Sequence, residues 1–439
     1  MLTETEKKKE TALLVGVSIG QAREWEIRDS LEELARLAAT DGVEVVHSII
    51  CRRPKPDPGY YIGRGKAEEI RSLAELHGAS CIIFDEDLSP AQARNLEELI
   101  GLPVLDRTQI ILDIFSMHAD THEGRLQVDL ARLEYQLPRL RRMWTHLERQ
   151  VGGIGVRGGP GEQQMEVDRR RIKLQIERLK DQLEDVRRHR AELRRGRRRH
   201  GWAAISIVGY TNAGKSTLLN ALTGAEAVTN DQLFVTLDPT TRKVELPNQQ
   251  MALLTDTVGF ISKLPHHLVE AFKATLEEVN EADLLVHVID ASHPLAEQQI
   301  RVVNDVLEEM GAEGKPVVSV LNKIDCENGL AQGRRLSKLI PDSALVSART
   351  GEGMEALREL LADTLRHRHT EMELCIPLDQ TRLIAGLRAN ARIAGEKYED
   401  DGFHVRAWIP ERMIHLYRPY LKNPPPEKAP DGWSGNEEG

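Results

Sequence analysis

Gly209-Tyr210-Thr211-Asn212-Ala213-Gly214-Lys215-Ser216 is the stretch that decides the reading of this 439-residue chain. It fits G-x-x-x-x-G-K-[ST], a phosphate-binding loop. An apolar run, Ala203 to Val208, precedes it and reads as a buried strand, and Thr217 to Leu222 follows as a helix. Successive backbone N–H groups in a Gly-bearing turn make an anion-binding concavity, and a helix N-terminus adds partial positive charge. In such a loop Lys215 reaches the β- and γ-phosphates and the Ser216 hydroxyl ligates Mg2+. A chance glycine turn is the competing reading, and the strand–loop–helix context argues against it.

Four further segments follow in order. Phe234-Val235-Thr236-Leu237-Asp238-Pro239-Thr240-Thr241 is polar, irregular and threonine-rich. A threonine there that ligates Mg2+ only beside a γ-phosphate makes the segment a switch, ordered by triphosphate and released on hydrolysis. Asp256-Thr257-Val258-Gly259 follows the apolar run Met251 to Leu254. A carboxylate at that strand end can hold the Mg2+ hydration shell, and the Gly259 N–H can reach the γ-phosphate. Asn322-Lys323-Ile324-Asp325 follows the strand candidate Val317 to Leu321, and Ser347-Ala348-Arg349 follows Ala344 to Val346. Asp325 can accept two hydrogen bonds from guanine, Asn322 addresses the other base edge, and the Ala348 N–H can bond guanine O6. An adenine would leave the carboxylate unpaired, so the set discriminates strongly for guanine.

Two residues bear on hydrolysis. Phe260 follows Gly259, where Ras-like GTPases carry a glutamine that orients the attacking water. The domain either binds GTP without cleaving it, or cleaves it slowly until a partner or cation completes the site. Asn212 either braces the loop or helps to hold a monovalent cation such as K+ beside the phosphates.

The rest of the chain frames this domain. Its length calls for two to four domains. A hydrophobic share of 40% is ordinary, and no apolar stretch is long enough for a membrane span. Met1 to Glu10 is too polar for a signal peptide. Cys51, Cys81, Cys326 and Cys375 lie far apart without C-x-x-C spacing, so neither a disulfide framework nor a zinc site is expected, and a reducing cytoplasm is. The net charge of −10 argues against nucleic acid on its own, but the charge is unevenly distributed.

N-terminal to the loop, strands at Ala12 to Val17, Val43 to Ile50, Cys81 to Phe84 and Pro103 to Leu105 alternate with helices. One helix spans Asp29 to Ala39 with Asp29 and Ser30 as caps, and another opens at Ser89-Pro90. The order predicts a parallel sheet. Gly63-Arg64-Gly65-Lys66 within it reads as a turn and helix start, as a weak second nucleotide site, or as an RNA-phosphate contact. From Arg125 the period becomes heptad: Leu126, Leu130, Leu133, Leu137, Leu140, Trp144, Leu147 and Val151, with a break expected at Pro138. A non-helical Gly-rich segment, Gly152 to Gly161, leads to a second seam at Ile172, Ile176, Leu179, Leu183, Val186 and, one heptad later, Leu193. This is an antiparallel hairpin with arms on the order of 40 Å. Its arginines, at 139, 141, 142, 149, 157 and 169–171, and eight between Arg187 and Arg199, point to phosphate recognition in folded RNA rather than only a solvated face. After the nucleotide domain, Glu371 to Ile409 reads as a small βαββ unit with an Asp400-Asp401-Gly402 hairpin turn and no evident chemistry. The Pro- and charge-rich end should be disordered.

With these residues in hand, the chain resembles the HflX GTPases, within the translation-factor-related class of P-loop GTPases. The resemblance rests on the five nucleotide segments, on Tyr61-Ile62-Gly63-Arg64-Gly65-Lys66, and on the Gly-rich segment leading to Gly161-Glu162 and Asp168-Arg169-Arg170. It implies a cytoplasmic GTPase that binds the large ribosomal subunit and its rRNA, and rescues or splits stalled ribosomes. It also implies Mg2+-dependent, ribosome-stimulated hydrolysis, with Ser216 and Thr236 as Mg2+ ligands and Asp256 acting through water. A monomer is expected. The expected fold is α/β: a P-loop GTPase domain (201–369) preceded by a small parallel α/β domain (1–124) and a long basic antiparallel helical hairpin (125–200). A small α+β domain (370–422) and a tail (423–439) follow. A GTP-dependent scaffold that scarcely hydrolyses is the alternative; an RNA-modifying or helicase-like enzyme is disfavoured for lack of a catalytic Cys, metal cluster or second motif set.

Overall fold

The structure is a computed structural model that describes residues 10–20, 23–139, 160–199, 202–224, 233–234, 236–247, 250–263, 273–312, 314–366, 369–399 and 401–422. Its first unit alternates β1 (Thr11–Ile19), α1 (Glu24–Thr40), β2 (Glu44–Arg53), α2 (Arg64–His77), β3 (Cys81–Phe84), α3 (Pro90–Ile100), β4 (Val104–Asp106) and α4 (Arg107–His118). The sheet order is β2-β1-β3-β4, parallel throughout. Near-continuous apolar runs such as the interior of β1 are what a sheet covered on both faces requires. Ser89 caps α3 with a reciprocal capping box to Gln92 and Pro90 at the first position, as its sequence predicts. At α1 the reading needs correction. The helix starts at Glu24, so Asp29 and Ser30 lie inside it, and Ser30 Oγ donates to Asp85 Oδ2 at 2.7 Å rather than capping. The Gly63–Lys66 segment is a helix start: Gly63, at φ 83°, precedes α2, and Arg64 and Lys66 pair with Glu68 and Glu69 along that helix.

The hairpin arms are α5 (His122–Gln136) and α6 (Pro160–Arg199). Leu126 and Leu130 of α5 bury against Ile176 and Leu183 of α6, with Leu133, Leu137, Ile172, Leu179 and Val186 beside them. The heptad seam thus pairs as its spacing demands. The arms differ in described length: 15 residues make about 22 Å and 40 residues about 60 Å at a 1.5 Å rise. The helix α5 stops just short of Pro138, which cannot donate to the ladder. Pro160 and Gly161, expected in the loop, instead open α6, where proline's missing N–H costs nothing. Leu140, Trp144, Leu147, Val151 and residues 152–159 lie outside the described residues, as do 423–439.

The nucleotide unit comprises β5 (Ala203–Gly209), α7 (Lys215–Thr223), β6 (Thr240–Leu246), β7 (Gln250–Asp256), α8 (Lys273–Glu281), β8 (Leu284–Asp290), α9 (Ala296–Glu309), β9 (Val317–Asn322), α10 (Gly329–Ser337), β10 (Ser343–Leu345) and α11 (Met354–Arg366). Its sheet order is β10-β9-β8-β5-β7-β6, with only the edge strand β6 antiparallel. The motif segments therefore follow the carboxyl ends of β5, β7, β9 and β10, where an open α/β sheet places its ligand crevice. The last unit is a three-stranded antiparallel sheet, β11 (His369–Ile376), β12 (Arg392–Glu399) and β13 (Gly402–Pro410), with α12 (Thr381–Asn390) and α13 (Glu411–Tyr417). Among the described residues no helix is long and apolar enough to cross a membrane.

Candidate functional site

The backbone of the loop between β5 and α7 is shaped by what a side chain would strike. Gly209 sits at φ 152° with its missing Cβ only 2.3 Å from the Val288 carbonyl, and Gly214 at φ 94° with 2.3 Å to Asn322 Nδ2. Asn212 takes φ 57°, a conformation that asparagine tolerates among non-glycine residues. The helix α7 then starts at Lys215 and aims its free N–H groups into the loop. Lys215 is 7% exposed, and its Nζ donates to the carbonyls of Gly209 (3.2 Å) and Tyr210 (2.8 Å). Burial pushes its ammonium down to about 8, against the pull of Asp256. A buried cation held only by loop carbonyls is a strong attractor for phosphate.

Three oxygen donors converge next to it. Ser216 Oγ donates to Asp256 Oδ2 at 2.7 Å and lies 2.9 Å from Thr236 Oγ1, which itself donates to Asp256 Oδ2 at 3.1 Å. Burial raises the Asp256 carboxyl above its usual range, although Lys215 and the two hydroxyls oppose this. Its Oδ1 is buried with no hydrogen-bond partner among the described residues. An orphaned carboxylate oxygen with two hydroxyls beside it is a hard donor set that fits Mg2+ and its bound water. Gly259 lies above this group, where a Cβ would fall 2.8 Å from Lys215 Nζ and 2.9 Å from Thr211 Cγ2. Only glycine lets that backbone N–H approach a phosphate.

The segments expected to read the base follow β9 and β10. Asp325 is exposed, and its Oδ1 accepts from Ser347 Oγ at 2.7 Å, which orients the carboxylate and leaves the other oxygen open. Asn322 has a different occupation from the one expected. Its Nδ2 donates to the Ala213 carbonyl at 2.8 Å and its Oδ1 accepts from the Ala348 N–H at 3.0 Å. Asn322 thus braces the phosphate loop against the Ser347–Arg349 turn, and in this structure the Ala348 N–H serves that brace. Lys323, in a left-handed conformation at φ 63°, pairs with Asp290 at 2.7 Å. Ile324 is buried, and Arg349 is exposed.

Some candidate residues point elsewhere. Thr257 is fully buried and donates to the Ile207 carbonyl at 2.7 Å, and Val258 is also buried. Both hold β7 to β5. Phe234 and Leu237 are buried, and Phe234 meets the Phe115 ring edge-on at 4.7 Å. Asp238 leaves the nucleotide crevice altogether: its Oδ2 accepts from the N–H groups of Asp120 (3.1 Å) and Thr121 (2.8 Å), at the start of α5. Val235 lies outside the described residues. Phe260 is 1% exposed and its N–H bonds the Gly209 carbonyl at 3.1 Å, so the ring cannot orient a water.

Sequence reading missed the groups of the first unit that meet Tyr210 and Lys263 of the nucleotide unit. Tyr210 donates its hydroxyl to Glu33 (2.6 Å), and Ser262 bonds the same oxygen. Arg107, 1% exposed, pairs with Asp85 at 2.8 Å and with Glu33, and Lys263 pairs with Asp85 and Glu86. Burial opposes the Arg107 charge, but Glu33 and Asp85 outweigh it and hold the guanidinium above its ordinary value. The Asp85-Glu86-Asp87 run at a strand's carboxyl end was the one available signal. His287 of β8 is 4% exposed, and burial beside Lys215 holds its imidazole down to about 4.

Comparison with known proteins supplies the family. Profiles described as "GTP-binding GTPase N-terminal", "GTP-binding GTPase Middle Region" and "50S ribosome-binding GTPase" match residues 28–116, 118–197 and 204–323. A GTPase HflX of Lacrimispora saccharolytica is 45% identical, covering 94% of this chain and 96% of that protein. The GTPase HflX of Escherichia coli is 44% identical over 90% of this chain and 92% of its own length. A solved GTP-binding protein of Sulfolobus solfataricus in complex with GDP is 28% identical, covers 81% of this chain and 98% of that one, and superposes with a TM-score of 0.42. It is the sequence relationships, spanning nearly the whole length of both partners, that assign the family: the chain belongs to the HflX GTPases, enzymes that hydrolyse GTP.

Proposed function

We propose that this chain is a Mg2+-dependent GTPase that docks on the large ribosomal subunit and uses its nucleotide switch to rescue or split stalled ribosomes. The observation that carries the nucleotide half is the convergence of Ser216, Thr236 and the orphaned Asp256 Oδ1 beside the buried Lys215. The ion, when bound, neutralises charge that develops on the β- and γ-phosphates. Lys215 exchanges its two loop carbonyls for phosphate oxygens, and the Gly259 N–H, unobstructed by a side chain, donates to the γ-phosphate. Thr236 lies on the segment that includes Phe234, Leu237 and Asp238, so its engagement reads out the γ-phosphate. Buried Phe260 offers no water-orienting group, which supports slow hydrolysis until a partner completes the site. Asn212, half-buried at the loop's turn, is the residue on which a K+ ion could depend.

The ribosomal half is supported by the hairpin and by the description of the profile that matches 204–323. Near the start of α6, Arg169 and Arg170 have no acidic partner among the described residues. Free guanidinium groups on a projecting helix suit rRNA phosphates. The protein works as a cytoplasmic monomer in this reading.

Sedimentation with ribosomes and separated subunits under GTP, GDP and a non-hydrolysable analogue tests it. The expected result is co-sedimentation with large subunits under the analogue, together with GTP turnover that large subunits raise. Arg169→Glu with Arg170→Glu should abolish the stimulation and leave nucleotide binding intact. Turnover that ribosomes leave unchanged would sink the reading and favour a GTP-dependent scaffold.

A further inference from the structure

The C-terminal sheet carries a cluster with no part in the nucleotide site. Cys375 of β11 and His404 of β13 stand directly opposite each other in the antiparallel register. Their neighbours Leu374, Ile376, Phe403 and Val405 are buried, so alternation puts Cys375 and His404 together on the other face. His404 is nevertheless only 9% exposed. Its Nε2 lies 3.5 Å from Cys375 Sγ, 2.7 Å from Asp401 Oδ1 and 3.7 Å from Glu399 Oε2. Cys375 Sγ is 4.0 Å from Asp401 Oδ2. The ligand atoms of Cys375, Asp401 and His404 all lie within 4.8 Å of one another. The turn between β12 and β13 delivers Asp401, and Gly402 keeps the space open: a Cβ there would fall 3.3 Å from Cys375 Sγ and 2.8 Å from the Ile376 carbonyl.

A thiol, an imidazole and a carboxylate can also make a nucleophilic triad, but a triad uses both ring nitrogens, one toward the nucleophile and one toward the acid. Here a single nitrogen, Nε2, faces the thiol and both carboxylates. Nδ1 is buried with no hydrogen-bond partner among the described residues. Donors that converge on one point from two strands and a turn are arranged for a cation. A tetrahedral zinc ion, with Zn–S about 2.3 Å and Zn–N about 2.0 Å, holds its ligand atoms about 3.5 Å apart. The 3.5 Å sulfur–nitrogen separation matches that value, and the 4.0 Å sulfur–oxygen separation lies above it. The shorter Asp401–His404 contact opens to it by rotation of an exposed side chain.

We propose that Cys375, Asp401 and His404 form a site for a divalent transition-metal ion of the zinc type, with Glu399 or water as fourth ligand. Thiolate and imidazole select such an ion over Mg2+, so the site is chemically distinct from the Ser216–Asp256 centre. Lys397, which pairs with His404 in register from β12, opposes the ion's charge and keeps affinity below that of an all-cysteine site. The lack of C-x-x-C spacing excluded only sites built from neighbouring cysteines; this one is assembled by strand pairing. Bound metal would tie the β12–β13 turn to β11.

The test uses the full chain, stripped with a chelator and titrated with Co2+ and then with Zn2+. The expected result is one equivalent of Co2+ with a thiolate-to-cobalt charge-transfer band, displaced by Zn2+ and indifferent to excess Mg2+. Cys375→Ser and His404→Ala should abolish the band, while Cys326→Ser keeps it. Asp401→Asn, in an exposed turn, should weaken binding by about tenfold or more with nucleotide binding unchanged. Absence of the band, or its survival in Cys375→Ser, overturns the site. Should Cys375→Ser fail to fold, unchanged affinity in Asp401→Asn overturns it equally.

Discussion

In the proposed reading a single carboxylate, Asp325, carries base selection. Ser347 donates to one oxygen of Asp325 and the residue is exposed, so Asp325→Asn should invert selectivity toward xanthine nucleotides. Removing a base-pairing acceptor is expected to cost GTP on the order of ten-thousand-fold in affinity, measured by competition between GTP and XTP. Retained GTP preference would contradict the assignment. Asp256→Ala should remove most of the Mg2+ enhancement of nucleotide affinity, by about tenfold or more in a Mg2+ titration, because Ser216 and Thr236 then lose their common acceptor. His287 makes an acid-sensitivity prediction. The unfolded imidazole takes a proton near 6.5, but burial holds the folded one to about 4. Between those values the unfolded chain binds more protons, so stability is lost as pH falls across the window, by roughly 3 kcal/mol. Denaturant midpoints for wild type and His287→Gln across that pH range should converge at the acid end.

At the scale of elements, Asp238 ties the segment after Thr236 to the chain that leads into α5, whose own cap is Thr121. Asp238 satisfies the N–H groups of Asp120 and Thr121 at the start of α5. Asp238→Ala should cost about 1 kcal/mol, read as a lower thermal midpoint, with base selectivity unchanged. The hairpin shows why charge runs need structure to interpret. Arg187 pairs with Glu277, Arg188 with Glu184 and Asp185, and Arg190 with Glu123. These arginines serve contacts within the chain, whereas Arg169 and Arg170 are left for a partner. The sequence density of arginine could not separate the two uses, because two of the acids, Glu277 and Glu123, lie on other elements, and only the Arg188 partners are neighbours on the same helix.

For the whole molecule, the first unit and the nucleotide unit share one apolar cluster that includes Ile110, Phe115, Phe234, Leu237, Phe260 and Ile261. Arg107 is the polar centre of that junction, buried between Glu33 and Asp85. Arg107→Met should destabilise by about 3–5 kcal/mol, since it strands two acids that also bind Tyr210 and Lys263. Denaturation followed separately in the two units should show them uncoupling; a change of under about 1 kcal/mol would refute the role.

The sequence by itself determined the phosphate loop, the strand-end placement of the nucleotide segments, the parallel N-terminal sheet and the heptad seam. Each depends on local period, on glycine where backbone must approach closely, or on residue types a few positions apart. The tertiary structure alone decided that Asn322 braces the loop, that Asp238 bonds the chain before α5, that Arg107 holds the two acids that meet Tyr210 and Lys263 of the other unit, and that Cys375 meets His404 and Asp401. Those partners are separated by tens to more than a hundred positions, and their pairing follows from which strands lie side by side, a quantity that no local pattern encodes.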